Sequence, residues 1–599
     1  MLPFSSMLKL GMRAIVIVFA LISLLSCNDS GDKAYRIGEL RLDPYGNAPM
    51  AAVVTLSADR FLSVELSIEA EGRDSWSTQF DVPAEQNWEL PVIGLFAGRE
   101  NHVTLRFFAE ETSVGEEHFT VQTEALPEDF PEITATGEHN AQEMTFVLWY
   151  RTPAARLETV GLLVDSKGEA RWYSSFAQAN LAPMEIIDGL IYTSDAKSKV
   201  FVYDLLGKER QSVDIAEHGF TGIHHDIVKK PNGNLILPVD EQDGAYTEDF
   251  LIEVNPDKSS LEGLWDLKDV LPDVADVLAG TPMTQTGGDT ANENPLQRSD
   301  DPIHNNAVFY DPNDDALLVT SQRIGVAKLY RSGGLHWLLA PQLINFIDDV
   351  DHNGQSDSLE AGYTADDPST WTGDFLTDNE KSAAYSQLRY PINGKPAQNY
   401  SGFEFAYQEF LLQPLDEKSD AISSESELLG LKDHADFAYP FRPHAAMVLE
   451  NGHLFLFDNG LNRNFGAPMS SGSYSRAVEY EVTPDSSDGF GGTVKQVWQY
   501  RLSVEADWYG FSPIVSDVDE LANGHRLIVF GALGSSILLG QWADAYGSGP
   551  KGALITEIDP STDEELHTLS FERTILDNYP NTELSIYRAE RMDPYQAWR

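Results

Sequence analysis

The chain has 599 residues, with 94 acidic against 41 basic side chains and a formal net charge of −53. That charge opposes the surfaces of nucleic acids and anionic membranes, so neither is an expected partner, and an anionic substrate requires a locally positive pocket. With 42% hydrophobic and 11% aromatic residues the chain is globular, and it is too long for one ordinary domain.

Residues 1–26 read as a targeting segment. Lys9 and Arg13 precede an apolar run over 14–25 that is too short to span a bilayer once its flanks are considered. The run ends Leu24-Leu25-Ser26-Cys27 and is similar to a bacterial lipoprotein signal, in which cleavage leaves the cysteine as the lipid-bearing first residue. Cys27 is the only cysteine, so no disulfide can form within the chain. A plain secretory signal and an uncleaved anchor are the competing readings. The expectation is a periplasmic protein that touches a membrane only through its N-terminal lipid.

Over residues 27–125, residues 31–42 read as a short tether and first strand, and further short strands are predicted at 50–56, 62–68, 102–108 and 116–122. No helical periodicity competes, which predicts a small β-sandwich. Leu126-Pro127-Glu128-Asp129-Phe130-Pro131 then breaks regular structure twice, and 126–137 reads as a linker. Residues 138–599 carry six strand clusters in which an apolar strand, a turn and an often Trp-bearing strand recur. Examples are 161–165 with 170–173, 250–254 with 263–265, and 477–481 with 497–500. Six units of about four strands predict an all-β, six-bladed β-propeller around a central channel. Insertions at about 340–439 and 271–302 make the spacing irregular, and a count of seven stays open.

A hairpin layout repeats within this region. His225 precedes a short apolar strand and the turn Pro231-Asn232-Gly233; His444 precedes a strand and Glu450-Asn451-Gly452. Asn-Gly supplies the positive φ angles that tight hairpins need. Both histidines sit seven residues before the turn asparagine; His304, in His304-Asn305-Asn306, sits nine before Asn313. Inner strands of a propeller converge on its axis, so three histidines at one station of the repeat are expected to meet at one mouth of the channel. Each taken alone also reads as an ordinary hydrogen-bonded surface histidine. In the larger insertion, Asp349, Asp351, Asn353, Gln355 and Glu360, with Gly354 at the bend, fit a calcium-loop pattern. A structural calcium and a chance match in a very acidic chain are both open there.

In order along the chain, PYGNAPMAAVV (44–54), LFAGRENHVTL (95–105), LPEDFPEI (126–133) and HHDIVKKPNGN (224–234) lead into HNNAVFYDPNDDALLVTSQR (304–323). PHAAMVLENGHLFLFDNG (443–460), YSRAVEYEV (474–482), SDVDELANGHRLIVFG (516–531) and YRAER (587–591) follow. In this order the stretches resemble the bacterial arylsulfate sulfotransferases, periplasmic enzymes that use aryl sulfates as donors. The resemblance covers nearly the whole mature chain. It implies an N-terminal β-domain, a six-bladed propeller, and ping-pong transfer of a sulfuryl group from a phenolic sulfate to a phenol. By position His444 matches the sulfated nucleophile, and His225, His304, Asn306 and Arg323 match residues that bind and polarise the sulfuryl group. His224 competes with His225 for its place. Some members of the family carry a disulfide near the site, which this chain cannot form.

The residue types suit that chemistry. Imidazole is largely neutral and nucleophilic near pH 7, and a guanidinium presents a planar fork to sulfuryl oxygens. The expectation is catalysis without a cofactor, apart from the candidate structural calcium. A histidine-ligated metalloenzyme and a non-catalytic ligand-binding propeller are the competing functions. Homodimer formation is left open.

Overall fold

The computed structural model describes residues 34–599 except 152–157, 175–177, 180–181, 245–249, 271–302, 342–409, 466–473, 485–490, 503–509, 534–551 and 573–583, and positions 323, 429, 431 and 462. Two sheets form the N-terminal domain. Tyr35–Leu42, Ala52–Ala58 and Trp88–Val92 make the first; Trp76–Val82, Leu62–Ala70, Glu100–Ala109 and Thr112–Gln122 make the second. Every second side chain of Leu62–Ala70 and Trp76–Val82 is buried, as expected for strands with one face on a core and one in water. The sandwich expected from the sequence is present, with two strands, Trp76–Val82 and Trp88–Val92, that the sequence reading did not single out.

The sandwich shares its core with the rest of the chain, since Leu66 and Phe107 cluster with Phe146, Trp172 and Met184. Arg171, 1% exposed, reaches across: Nε donates to the Gly94 carbonyl at 2.8 Å and Nη1 to Asp165 at 2.7 Å. A buried guanidinium is tolerated only when its donors are taken up in this way.

Six further sheets of four or five strands, antiparallel except for one edge pair, fall within the described residues, in keeping with the propeller expectation. Their inner strands are Ser585–Met592, Met184–Ile187, Val228–Lys229, Asn305–Asp311, His444–Val448 and Asp517–Glu520. Both ends of the repeat are stitched in. Ser585–Met592 pairs with Met144–Arg151, so a C-terminal strand is innermost in the first sheet. Glu132–Gly137, inside the stretch read as a linker, pairs with Glu564–Glu572 as the outermost strand of the last sheet. Of the larger insertion, Leu412–Leu415 adds a parallel strand beside Gly492–Tyr500. No helix among the described residues is long and apolar enough to cross a membrane.

The inner strands also gather acids around one cation. Arg588 donates to Glu185 and, at 3.4 Å, to Asp226, while Asp517 accepts the Ala589 amide at 3.2 Å. Burial is the main cause that raises the acids: Asp517 to about 7, Asp519 to about 6, and Glu185 and Glu590 upward as well. The fully folded stability of such groups is present below their unfolded values near pH 4 and is lost as pH rises through the folded ones. Thermal unfolding between pH 5 and pH 9 is therefore expected to show a melting temperature that falls by roughly 5 °C. Asp519→Asn should flatten that slope; an unchanged slope would rule out this carboxyl as a contributor.

Candidate active site

His225 and His304 lie just ahead of inner strands, and His444 is the first residue of one. At this end the strands are irregular. His225 (φ 55), His304 (φ 49) and Ala445 (φ 52) adopt left-handed backbone conformations, which non-glycine residues take at a cost where the surroundings hold them. Register shifts leave Asn306 as an extra residue between Asn305 and Ala307, and Tyr587 between Ile586 and Arg588. A third shift falls between His444 and Met447. Such bulges turn side chains out of the alternating pattern, and here they turn them toward a common point.

The rings meet around Tyr587. His225 packs edge-on to His304 with centroids 5.4 Å apart, and Tyr587 lies 5.8 Å from His225 and 6.0 Å from His444. His224 packs edge-on to His225 at 5.1 Å, one ring further out, so His225 is the member of the pair against both Tyr587 and His304. The Tyr587 hydroxyl donates to the Asn306 carbonyl at 2.6 Å and lies 3.0 Å from His225 Nδ1. Its one proton goes to an oxygen that cannot donate, so Nδ1 of His225 carries the other proton and donates to the hydroxyl.

His444 is 5% exposed, with Nδ1 2.7 Å from Asn459 Oδ1. Burial pushes its ring down to about 3; the Asn459 bond and the Arg442 carbonyl oppose this, and the imidazoles of His225 and His304 add to it. The ring is therefore neutral over ordinary pH. The Asn306 amide donates to the Pro443 carbonyl at 3.0 Å, next to His444, and so braces that loop. Arg442 donates to the Gln322 carbonyl at 3.4 Å, and the Gln322 amide donates to the His304 carbonyl at 3.0 Å.

Thus His225, His304, Asn306 and His444 come together, with His224 at the margin. Arg323, Cys27 and the calcium-loop residues Asp349, Asp351, Asn353, Gln355 and Glu360 lie outside the described residues. Two residues at the site escaped the sequence reading. Asn459 was visible only as part of the turn Asp458-Asn459-Gly460, and Tyr587 only as the first letter of YRAER. No hydrophobic pattern announces a bulge, so neither carried a signal beyond its motif.

Fold and site define a β-propeller whose inner strands bring imidazoles together, one of them buried and neutral. Residues 133–349 and 394–588 match the model of the family described as Arylsulfotransferase (ASST), and 39–124 match the Arylsulfotransferase Ig-like domain. The chain belongs to the arylsulfotransferase family and is a sulfotransferase, as the resemblance implied. It is 23% identical to the arylsulfate sulfotransferase AssT of Escherichia coli O6:H1, over 94% of each chain. It is 22% identical to the AssT of Lelliottia amnigena over the full length of both. Among solved structures, BamB from Moraxella catarrhalis aligns with a TM-score of 0.17 at 9% identity, covering 49% of this chain and 73% of that one.

Tyr587→Phe strips a hydroxyl from two buried partners at once. The expected cost is about 1–3 kcal/mol in chemical denaturation. Stability equal to wild type would show that the hydroxyl bridge contributes nothing.

Proposed function

We propose that the chain transfers a sulfuryl group from an aryl sulfate ester to a phenolic acceptor in two steps, through a sulfohistidine at His444. The observation that carries this reading is the buried, neutral His444 ring set beside His225 and His304 through Tyr587. In the first step a ring-nitrogen lone pair attacks sulfur, the sulfur–oxygen bond to the aryl group breaks, and its electron pair leaves on the phenolate. In the second step the acceptor oxygen attacks the same sulfur, the sulfur–nitrogen bond breaks, and its pair returns to the ring while the phenol proton is released. Sulfuryl transfer of this kind depends mainly on in-line placement and on donors for the three charged oxygens. His225 and His304 are assigned to those oxygens and to proton transfer at the phenol oxygen, and Arg323 to charge neutralisation. Asn306 is assigned to holding the His444 loop, since its amide is already engaged by the Pro443 carbonyl.

No cofactor enters this scheme. Activity that persists after exhaustive chelation supports it, and activity abolished by chelation and restored by a divalent metal favours the metalloenzyme reading instead. The direct test is intact mass after incubation with 4-nitrophenyl sulfate and no acceptor. Wild type should gain the mass of one sulfuryl group, and His444→Ala should gain none, with turnover lower by roughly a thousandfold or more. A wild-type adduct that persists in His444→Ala would refute the assignment.

We also propose that the mature chain is anchored in the periplasm through Cys27. Support comes from Lys9, Arg13, the apolar run over 14–25 and the placement of the sole cysteine directly after it. Cys27→Ser should move the protein from the detergent phase to the aqueous phase in Triton X-114 partitioning. Retention in the detergent phase would point to an uncleaved anchor.

A further inference from the structure

Building on the assignment of His444 as nucleophile, we propose that Asn459 is a positioning residue that fixes the tautomer of His444, keeping the proton on Nδ1 and the lone pair of Nε2 free for sulfur. The Asn459 amide nitrogen donates to the Ser512 carbonyl at 2.8 Å and to the Val515 carbonyl at 2.9 Å. Carbonyl oxygens only accept, so the amide cannot be turned over, and its oxygen is the atom that faces the ring. That oxygen lies 2.7 Å from His444 Nδ1 and also only accepts, so Nδ1 is the donor. The Asn306 amide nitrogen donates one proton to the Pro443 carbonyl at 3.0 Å and stands 3.5 Å from the same ring atom, a much longer contact than the 2.7 Å to the Asn459 oxygen, so the Asn459 contact sets the tautomer.

The geometry around Asn459 is rigid. The residue is wholly buried, and Ser475 donates to its carbonyl at 2.7 Å. Asp458, one residue earlier, accepts the amides of Phe441 at 2.9 Å and Gly460 at 3.1 Å and the Arg476 Nε at 2.8 Å. The strut therefore ties the sheet carrying His444 to the 512–515 loop of the next.

The chemical consequence follows from the neutral amide. When Nε2 bonds to sulfur, the Nδ1 proton stays on the ring and the sulfohistidine is an imidazolium. An amide oxygen takes a hydrogen bond without drawing off that proton, so the ring keeps its charge and remains a good leaving group for the acceptor step. A carboxylate at this position would stabilise protonated His444 before any donor arrives.

Asn459→Asp separates positioning from simple bracing. The expected result is an acid limb in kcat/KM for 4-nitrophenyl sulfate that moves up by about one pH unit or more relative to wild type. A folded Asn459→Asp protein with an unmoved acid limb, or with a loss equal at every pH, overturns the proposal. The new carboxylate faces the Ser512 and Val515 carbonyl oxygens, which opposes folding of the variant, and nitrogen-15 spectra of ring-labelled histidine in wild type read the tautomer directly. The resonance pair missing from His444→Ala should show a protonated Nδ1 and a bare Nε2. A proton on Nε2 overturns the proposal. A sulfuryl adduct that forms in His444→Ala would remove the nucleophile assignment while leaving the measured tautomer in place, so the two failures are distinguishable.

Discussion

The hydroxyl of Tyr587 is the contact on which the site depends. It sits at a bulge in the C-terminal strand, and that strand closes the first sheet from the inside. The carbonyl it satisfies belongs to Asn306, the extra residue of a second bulge, and the nitrogen beside it belongs to His225. His225 and Asn306 are thus joined by one oxygen from a residue 362 and 281 positions further along the chain. Bulged backbone loses ladder partners, and buried polar groups without partners are costly; a side chain that supplies the missing partner makes the irregularity tolerable. Burial pushes the Tyr587 hydroxyl far above its ordinary value, so the donor is present at any working pH.

A second polar network holds the other side. Burial alone would raise Asp458, but Arg463 at 2.5 Å and Arg476 at 2.8 Å more than offset it and keep the carboxylate charged. Breaking such a buried cluster by removing one partner leaves an uncompensated charge, whereas intact it gives the turn before Asn459 one geometry. The guanidinium of Arg463 also lies 3.9 Å over the ring of Tyr474, which adds a flat apolar support. The His444 ring is thereby seated between two rigid polar assemblies, one built on a phenol and the other on an ion cluster.

Much of this was legible in the sequence, and the parts that were not share a cause. The period-two alternation of 62–68 and 102–108 revealed the sandwich because one face is wet, while Trp88–Val92, whose last three residues are all buried, offers no alternation to read. The repeated His-strand-Asn-Gly layout exposed His225 and His444 because hairpin turns impose residue types. His304 fitted less well, nine residues before its turn rather than seven, and the bulge at Asn306 lies within that same hairpin. Asn459 and Tyr587 act through a register shift and through contacts between sheets, and local patterns carry no information about either. The strand Glu132–Gly137 was hidden for the same reason: its partner lies at Glu564–Glu572, and its flanking prolines suggested a break.

The charge balance completes the argument. A chain at −53 that belongs to a family of arylsulfotransferases has to accept an anionic ester despite the acids buried beside its histidines. The formal count overstates the opposition there. Burial raises Asp517, Asp519, Glu185 and Glu590 toward their neutral forms, and Arg588 stands among them as a buried cation. Coulomb repulsion from these acids is weakened where the dielectric is low and would otherwise make it strongest. The same burial that keeps His444 uncharged shifts these carboxyls toward their protonated forms. One physical condition, exclusion of water from the inner strands, thus holds the His444 ring neutral and moderates the negative field of the acids around it.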